Sequence, residues 1–158
     1  MKIAVFPGSF CPVTKGHINA ISRAARIVDK LYVVVGVNSA KTYAISPEDR
    51  VGLLQKALIG TENISICAYD GLMTYFCITV GADLIIKSVR NAVDVQTVID
   101  TTEINKHYWN GETIFLTCDK EYQSISSSMV RELASLGKDI TPYVPNNLAS
   151  DIVALLRK

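Results

Sequence analysis

The stretch "FPGSFCPVTKGH" at residues 6–17 sets two prolines, two glycines, two hydroxyls, a lysine and a histidine between the apolar run "KIAVF" and an amphipathic stretch. Those residue types support two readings. Proline and glycine end strands and turn the chain, so His17 could simply follow a helix start. In an open α/β sheet the same place also presents backbone N–H groups and a helix dipole to an anion, and His17 would then be a hydrogen-bond donor beside it. The histidine alone does not choose between punctuation and chemistry.

Similar groups recur after the other apolar runs. "NSAKTYAI" follows the second run and carries Lys41; "YDGLM" follows the third. "SVRNAVD" follows the fourth, with Lys87 at the end of that run and Arg90 just beyond. "CDKEYQSISSSMVREL" follows the fifth and puts the hydroxyls of Ser126, Ser127 and Ser128 at a helix start. Three cations, one histidine and two helix starts rich in small polar residues suit an anionic ligand, phosphates first.

These groups need elements to position them. The apolar runs predict strands at 2–6, 31–37, 64–68, 84–88 and 113–117, nearly continuous in apolar residues as expected for a parallel sheet buried on both faces. Helices are predicted at 15–28, 46–59, 71–80, 92–108, 127–136 and 146–157. "SPEDR" supplies Ser46 as N-cap, Pro47 at the first helical position and Asp49 three residues after the cap, a capping-box pattern, and Gly137 is a helix stop. Strand–helix alternation of this kind gives right-handed crossovers in an α/β fold, a doubly wound five-stranded parallel sheet of Rossmann-like type. With no linker or repeat, residues 1–158 read as one domain.

Composition excludes several partners. Lys and Arg number 16 against 15 Asp and Glu, a near-neutral balance that leaves no general footprint for nucleic acid and no polybasic surface for a membrane. Cys11, Cys67, Cys77 and Cys118 are far apart, without metal-ligand spacing, and read as reduced thiols, with Cys67 and Cys77 in the core. "MKIAVFPG" is too short an apolar start for a signal or membrane segment, so a cytoplasmic protein is expected. His107, in a polar stretch, reads as a surface or interface residue.

"GSFCPVTKGH" followed by "SISSSMVRE" resembles the nucleotidyltransferase superfamily with the T/HxGH signature. The order of "PGSF", "TKGH", a lysine after the second strand, "VRNAVD", "ISSSMVRE" and the tail "GKDITPYVPNNL" is similar to the bacterial phosphopantetheine adenylyltransferase family over nearly the whole chain. The resemblance implies a reaction between ATP and 4′-phosphopantetheine that gives dephospho-coenzyme A and pyrophosphate. It also implies Mg2+ to offset the triphosphate charge, a homohexamer, and feedback inhibition by coenzyme A.

Carried over residue by residue, the resemblance makes His17, Lys41 and Arg90 the catalytic residues, with His17 donating a hydrogen bond to the α-phosphate. Thr14 and Gly16 belong to the same signature. Ser9 and Phe10 lie where the family contacts ATP, and Ser9 also where it contacts the acceptor phosphate. Lys41 and Lys87 correspond to residues that grip the pantetheine phosphate; Met73 corresponds to one lining the pantetheine arm, although a core position is an equal reading. Ser88, Val89 and Arg90 fall on the first ATP segment, Val98 on a nucleotide contact, and Tyr122, Gln123, Ser124, Ile125, Ser126, Ser127 and Ser128 on the second ATP segment. No residue is assigned to metal.

The chain departs from the family pattern at several of these positions. Cys11 replaces an aspartate, Lys87 and Ser88 replace Arg-Gly, Val98 replaces a glutamate, and Gln96 and Thr97 replace an acidic–aromatic pair. Lysine keeps the charge of arginine but loses its bidentate fork. Two other readings therefore stand beside the first: cytidylyl or nicotinamide-mononucleotide adenylyl transfer, and a degenerate member that binds nucleotide or coenzyme A without turnover.

Overall fold

The computed structural model describes residues 1–158. Its five parallel strands are β1 (Ile3–Gly8), β2 (Lys30–Val37), β3 (Ile64–Asp70), β4 (Leu84–Val89) and β5 (Glu112–Thr117), in the order β3-β2-β1-β4-β5. Six helices flank them: α1 (Lys15–Ala25), α2 (Pro47–Ala57), α3 (Met73–Val80), α4 (Ala92–Asn105), α5 (Ser127–Ser135) and α6 (Ala149–Leu156). The doubly wound α/β architecture expected from the strand pattern is present.

Alternation along the strands explains the two cores. Ala4, Phe6, Leu31, Val33, Val35 and Ile86 point to one face and form the larger core with residues of α1, α2, α5 and α6. Val5, Val34 and Ile85 point the opposite way into a smaller cluster closed by Cys77 of α3 and by Trp109. Both faces of each central strand are therefore apolar, which is why the sequence shows runs and not alternation.

The strand order reverses between β1 and β4, and here the sheet parts. β1 pairs with β2 over six positions but with β4 only at Ala4 and Val5. Pro7 lies beyond those two, where β1 has already lost its β4 neighbour, so its missing N–H costs no ladder bond on that side. The proline suggested that β1 stops at Phe6; the strand instead continues to Gly8 along β2 alone. The gap that opens is the crevice in which α/β sheets bind ligands.

Three local expectations are corrected. α1 ends at Ala25, short of 28, where Asn63 Nδ2 donates to the Ala25 and Val28 carbonyls at 2.8 and 3.1 Å and satisfies the helix end. α4 ends at Asn105, short of 108; Tyr108 and Trp109 form the turn after it, and Trp109 is pulled into the smaller core. At Ser46 only half of the capping box forms. Ser46 Oγ accepts from the Asp49 N–H at 3.1 Å, but the Asp49 carboxylate takes the Ser46 hydroxyl and not the backbone N–H. Gly137 does stop α5, with φ 68 and the N–H of Lys138 closing back on Leu133 at 2.9 Å.

Candidate active site

The floor of the crevice is the turn from β1 into α1. Gly8 has no side chain because the Phe10 ring occupies that space; a Cβ there would lie 2.7 Å from Phe10 Cζ. Phe10 takes a left-handed backbone conformation, φ 47, that turns its ring inward beneath the site. The ring meets the His17 imidazole edge-on, 5.1 Å between centroids. His17 is thereby held from one side by packing.

The other constraint is a reciprocal cap. Thr14 is the N-cap of α1, and its hydroxyl accepts from the His17 N–H at 3.4 Å. In return His17 Nδ1 accepts from the Thr14 N–H at 3.0 Å. Glutamate or glutamine ordinarily makes this return bond. An Nδ1 that accepts carries no proton, so the neutral ring carries its proton on Nε2. Burial first, and the nearby Arg90 guanidinium second, lower the His17 pKa to about 4, so the ring is neutral at pH 7. The punctuation sets the chemistry: capping the helix is what fixes His17 as an Nε2–H donor.

The same helix start offers backbone. The Lys15 N–H is taken by the Tyr143 carbonyl and the His17 N–H by Thr14, which leaves the Gly16 N–H unpaired at the crevice wall. A second helix start lies opposite. Ser126 caps α5 through its hydroxyl to the Met129 N–H at 3.1 Å, and the Ser127 and Ser128 N–H groups have no protein partner. Ser127 Oγ donates to the Pro12 carbonyl at 2.7 Å and Arg131 Nη1 to the Cys11 carbonyl at 2.6 Å, so α5 is bolted to the loop between β1 and α1.

Arg90 is equally fixed. Its Nε donates to Asp94 Oδ2 at 3.1 Å and its Nη1 to the Ile125 carbonyl at 3.1 Å, while its backbone N–H donates to the same Asp94 oxygen. Lys87, half-buried at the end of β4, has neither an ion pair nor a hydrogen bond, and burial lowers its pKa. Lys41 is exposed on the loop after β2, also without a partner. Two unpaired ammonium groups facing one crevice favour an anion.

Together these groups line a cavity of about 940 Å³ that also includes Ser9, Ser88, Val98, Tyr122 and Ile125. Four residues named from the sequence lie elsewhere. Val89 is buried in the sheet, Met73 packs with the smaller core, and Gln123 and Ser124 are exposed outside the lining. Conversely, Asp94, Arg131 and Thr101 line the cavity without having been singled out, and so does Thr97, noted from the sequence only as a departure from the family pattern. Thr97 and Thr101 donate their hydroxyl protons to carbonyls of α4 itself, Val93 at 3.0 Å and Thr97 at 2.8 Å, so beside Val98 they offer only acceptors and methyls.

The residues do not fit a resident magnesium site. No group of three or more His, Cys, Asp or Glu side chains gathers to hold a metal. The cavity's single carboxylate, Asp94, is engaged by Arg90.

A cytidylyltransferase-like family model matches residues 5–133. A phosphopantetheine adenylyltransferase from Bifidobacterium longum is 42% identical, covering 92% of this chain and 89% of its own. The enzyme of that name from Oenococcus oeni is 39% identical over 94% of both chains, and that from Caulobacter sp. 36% identical over the full length of both. Among solved structures, a candidate nicotinate-nucleotide adenylyltransferase from Vibrio parahaemolyticus superposes with a TM-score of 0.66, covering 100% of this chain and 97% of its own. At 19% identity that likeness speaks for the fold alone.

Proposed function

The chain belongs to the cytidylyltransferase-like family and, within it, to the phosphopantetheine adenylyltransferases, and from that premise we propose how its cleft works. It transfers the adenylyl group of ATP to 4′-phosphopantetheine, giving dephospho-coenzyme A and pyrophosphate. An oxygen of the acceptor phosphate attacks the α-phosphorus. As that P–O bond forms, the bond from the α-phosphorus to the bridging oxygen breaks, and pyrophosphate leaves with the electron pair. No covalent enzyme intermediate is needed, so positioning and charge stabilisation carry the rate.

His17 Nε2–H donates to an α-phosphate oxygen as charge builds there. Lys41 and Lys87 hold the acceptor phosphate in line, with Ser9 beside it. Arg90 Nη2 and the Ser127 and Ser128 N–H groups at the start of α5 receive the departing phosphates. Bound with ATP rather than by the protein, magnesium would offset part of the triphosphate charge. The observation that carries these roles is the pairing of a neutral, tautomer-fixed His17 with two lysines that lack protein counter-ions.

The test is pyrophosphate release with ATP and 4′-phosphopantetheine, run beside CTP with a polyol phosphate and ATP with nicotinamide mononucleotide. Turnover confined to the first pair is expected. Turnover with another pair, or with none, rejects this acceptor or rejects catalysis.

The finer properties belong to the same proposal. A homohexamer is supported by apolar side chains that α4, the turn after it and the edge strand β5 leave exposed, among them Val93, Ile104, Tyr108 and Phe115. Light scattering that returns a monomer at micromolar concentration would count against it. Coenzyme A, which carries both the pantetheine and the adenylate halves of the product, would inhibit by occupying the same cleft. No helix is long and apolar enough to cross a membrane. The cytoplasm is the compartment proposed for four unpaired thiols.

A further inference from the structure

Arg50 lies in the first turn of α2 with none of its surface exposed and no ion pair to a carboxylate. Both circumstances work against a cation: burial of an unpaired charge is costly, and the start of a helix repels positive charge. Its contacts are all to backbone carbonyls and one ring. Nη1 donates to the Ser9 carbonyl at 2.7 Å and reaches the Gly36 carbonyl at 3.4 Å. Nε reaches the Ser46 carbonyl at 3.4 Å, and Cζ lies 4.3 Å from the centre of the Tyr43 ring. Nη2 is buried without a partner.

The segments it joins are the turn that carries Ser9, the end of β2, and the loop that carries Tyr43 and Lys41. Ser9, Lys41 and Tyr43 all line the cavity, whereas Arg50 is not part of its lining. A guanidinium can hold two carbonyls and a ring face at once because its donors are arranged in a rigid plane; an ammonium cannot. We propose that Arg50 is a positioning residue for the acceptor phosphate, which locks the Ser9 carbonyl and the Tyr43 loop together so that Ser9 and Lys41 address one phosphate. The proposal rests on the adenylyl-transfer reading above. The unsubstituted enzyme tests that reading by itself, so its failure shows before any variant is made.

Arg50→Met, Arg50→Lys and Tyr43→Leu are compared by steady-state kinetics with the acceptor varied, by calorimetry of ATP alone, and by thermal melts. A misplacement of about 1 Å can cost about 10²-fold, so Arg50→Met is expected to raise the acceptor KM by about tenfold or more. ATP affinity should change several-fold less. Arg50→Lys should recover part of the loss, and Tyr43→Leu should move the acceptor KM in the same direction. The double variant Arg50→Met with Tyr43→Leu should fall short of the product of the two, as for residues that share one contact. A folded Arg50→Met with a lower melting temperature but an unchanged acceptor KM overturns the proposal, as does an equal loss for ATP and acceptor. Where Arg50→Met does not fold, an unchanged acceptor KM in both Arg50→Lys and Tyr43→Leu overturns it.

Discussion

Arg90 and Arg131, on the α4 and α5 side of the cleft, are fixed before any ligand arrives: one bridges Asp94 and the Ile125 carbonyl, the other the Cys11 carbonyl and Ser128 Oγ. The ammonium groups of Lys41, on the loop after β2, and of Lys87, in β4, have no protein partner. The difference separates two uses of positive charge. A guanidinium tied to carbonyls is part of the scaffold, and its ordering entropy is already met in folding. An unpaired ammonium contributes little to the fold and becomes ordered only when an anion binds it. Substitution of a tied arginine should therefore damage structure along with any phosphate contact it makes, whereas substitution of an unpaired lysine should damage acceptor binding alone.

His17 carries the largest expected effect. Loss of one such donor costs about 10²–10³-fold in kcat, which is the expectation for His17→Ala, with ATP affinity little changed. That variant also loses the return bond to Thr14. His17→Gln separates the two roles, because glutamine can make the return bond but has no ring Nε2–H. It should be as slow as His17→Ala yet melt higher. The pH dependence follows the same logic. Folding lowers the His17 pKa from 6.5 to about 4, so between those values the unfolded chain binds a proton that the folded chain refuses. The stability His17 contributes is complete above pH 6.5 and is lost as pH falls towards 4; in His17→Gln this part of the acid-induced loss should vanish. A His17→Gln enzyme that turns over normally would return the residue to a capping role only.

Lys87 comes next. A charge-assisted hydrogen bond is worth about 1.5–3 kcal/mol, so Lys87→Ala should lower kcat/KM for the acceptor by about 10- to 10²-fold. Binding of ATP alone and thermal stability should hold, because no protein partner is left behind. Burial lowers the Lys87 pKa, so the ammonium is lost at a lower pH than in an ordinary lysine, and the acceptor KM should rise on the alkaline side. Lys87→Arg should remove that alkaline rise while keeping activity. If Lys87→Ala weakens ATP and spares the acceptor, the acceptor role given to Lys87 fails.

The same contrast explains what could be read from the sequence. The five strands were legible because a doubly covered sheet leaves uninterrupted apolar runs, and α5 because Ser126 and Gly137 mark its ends. The unpaired lysines were legible too, since each follows a strand and needs no partner to be noticed. The ties of the arginines were not, even where the residue itself, Arg90, was noticed. Arg50 meets a carbonyl 41 residues away and Arg131 one 120 residues away, and no local pattern records such pairs. A faint signal existed at Arg50, which shares a helix face with the buried Leu53 and Leu54 and so had to be buried with them. Asp94 was closer to view, four residues after Arg90 at a helix start, a spacing that favours an ion pair. Pro7 misled for a topological reason, because its effect on β1 depends on where β4 departs.

The smallest effect is expected where an arginine tie lies at the surface. Asp119, just after β5, accepts from Asn19 Nδ2 at 2.9 Å and from Arg23 Nη1 at 3.2 Å, linking α1 to the segment that leads into α5. The Arg23 and Asp119 side chains are 27% and 46% exposed, and exposed pairs contribute at most about 1 kcal/mol. Arg23 also donates to the Thr117 carbonyl at 2.8 Å, so it keeps an anchor without Asp119. Residues 122–131 retain three half-buried ties in any case, from Arg90 to Ile125, from Ser127 to Pro12, and from Arg131 to Cys11. Asp119→Asn keeps one acceptor oxygen, so it should destabilise by less than about 1 kcal/mol and change ATP affinity by less than about threefold. Raised salt should shrink the stability difference further, since screening acts on exposed charges. Calorimetry and melts at two ionic strengths measure both quantities. A tenfold loss of ATP affinity in Asp119→Asn would mean that the nucleotide segment hangs on this outer pair, and the scaffold role given to the half-buried arginine ties would fail.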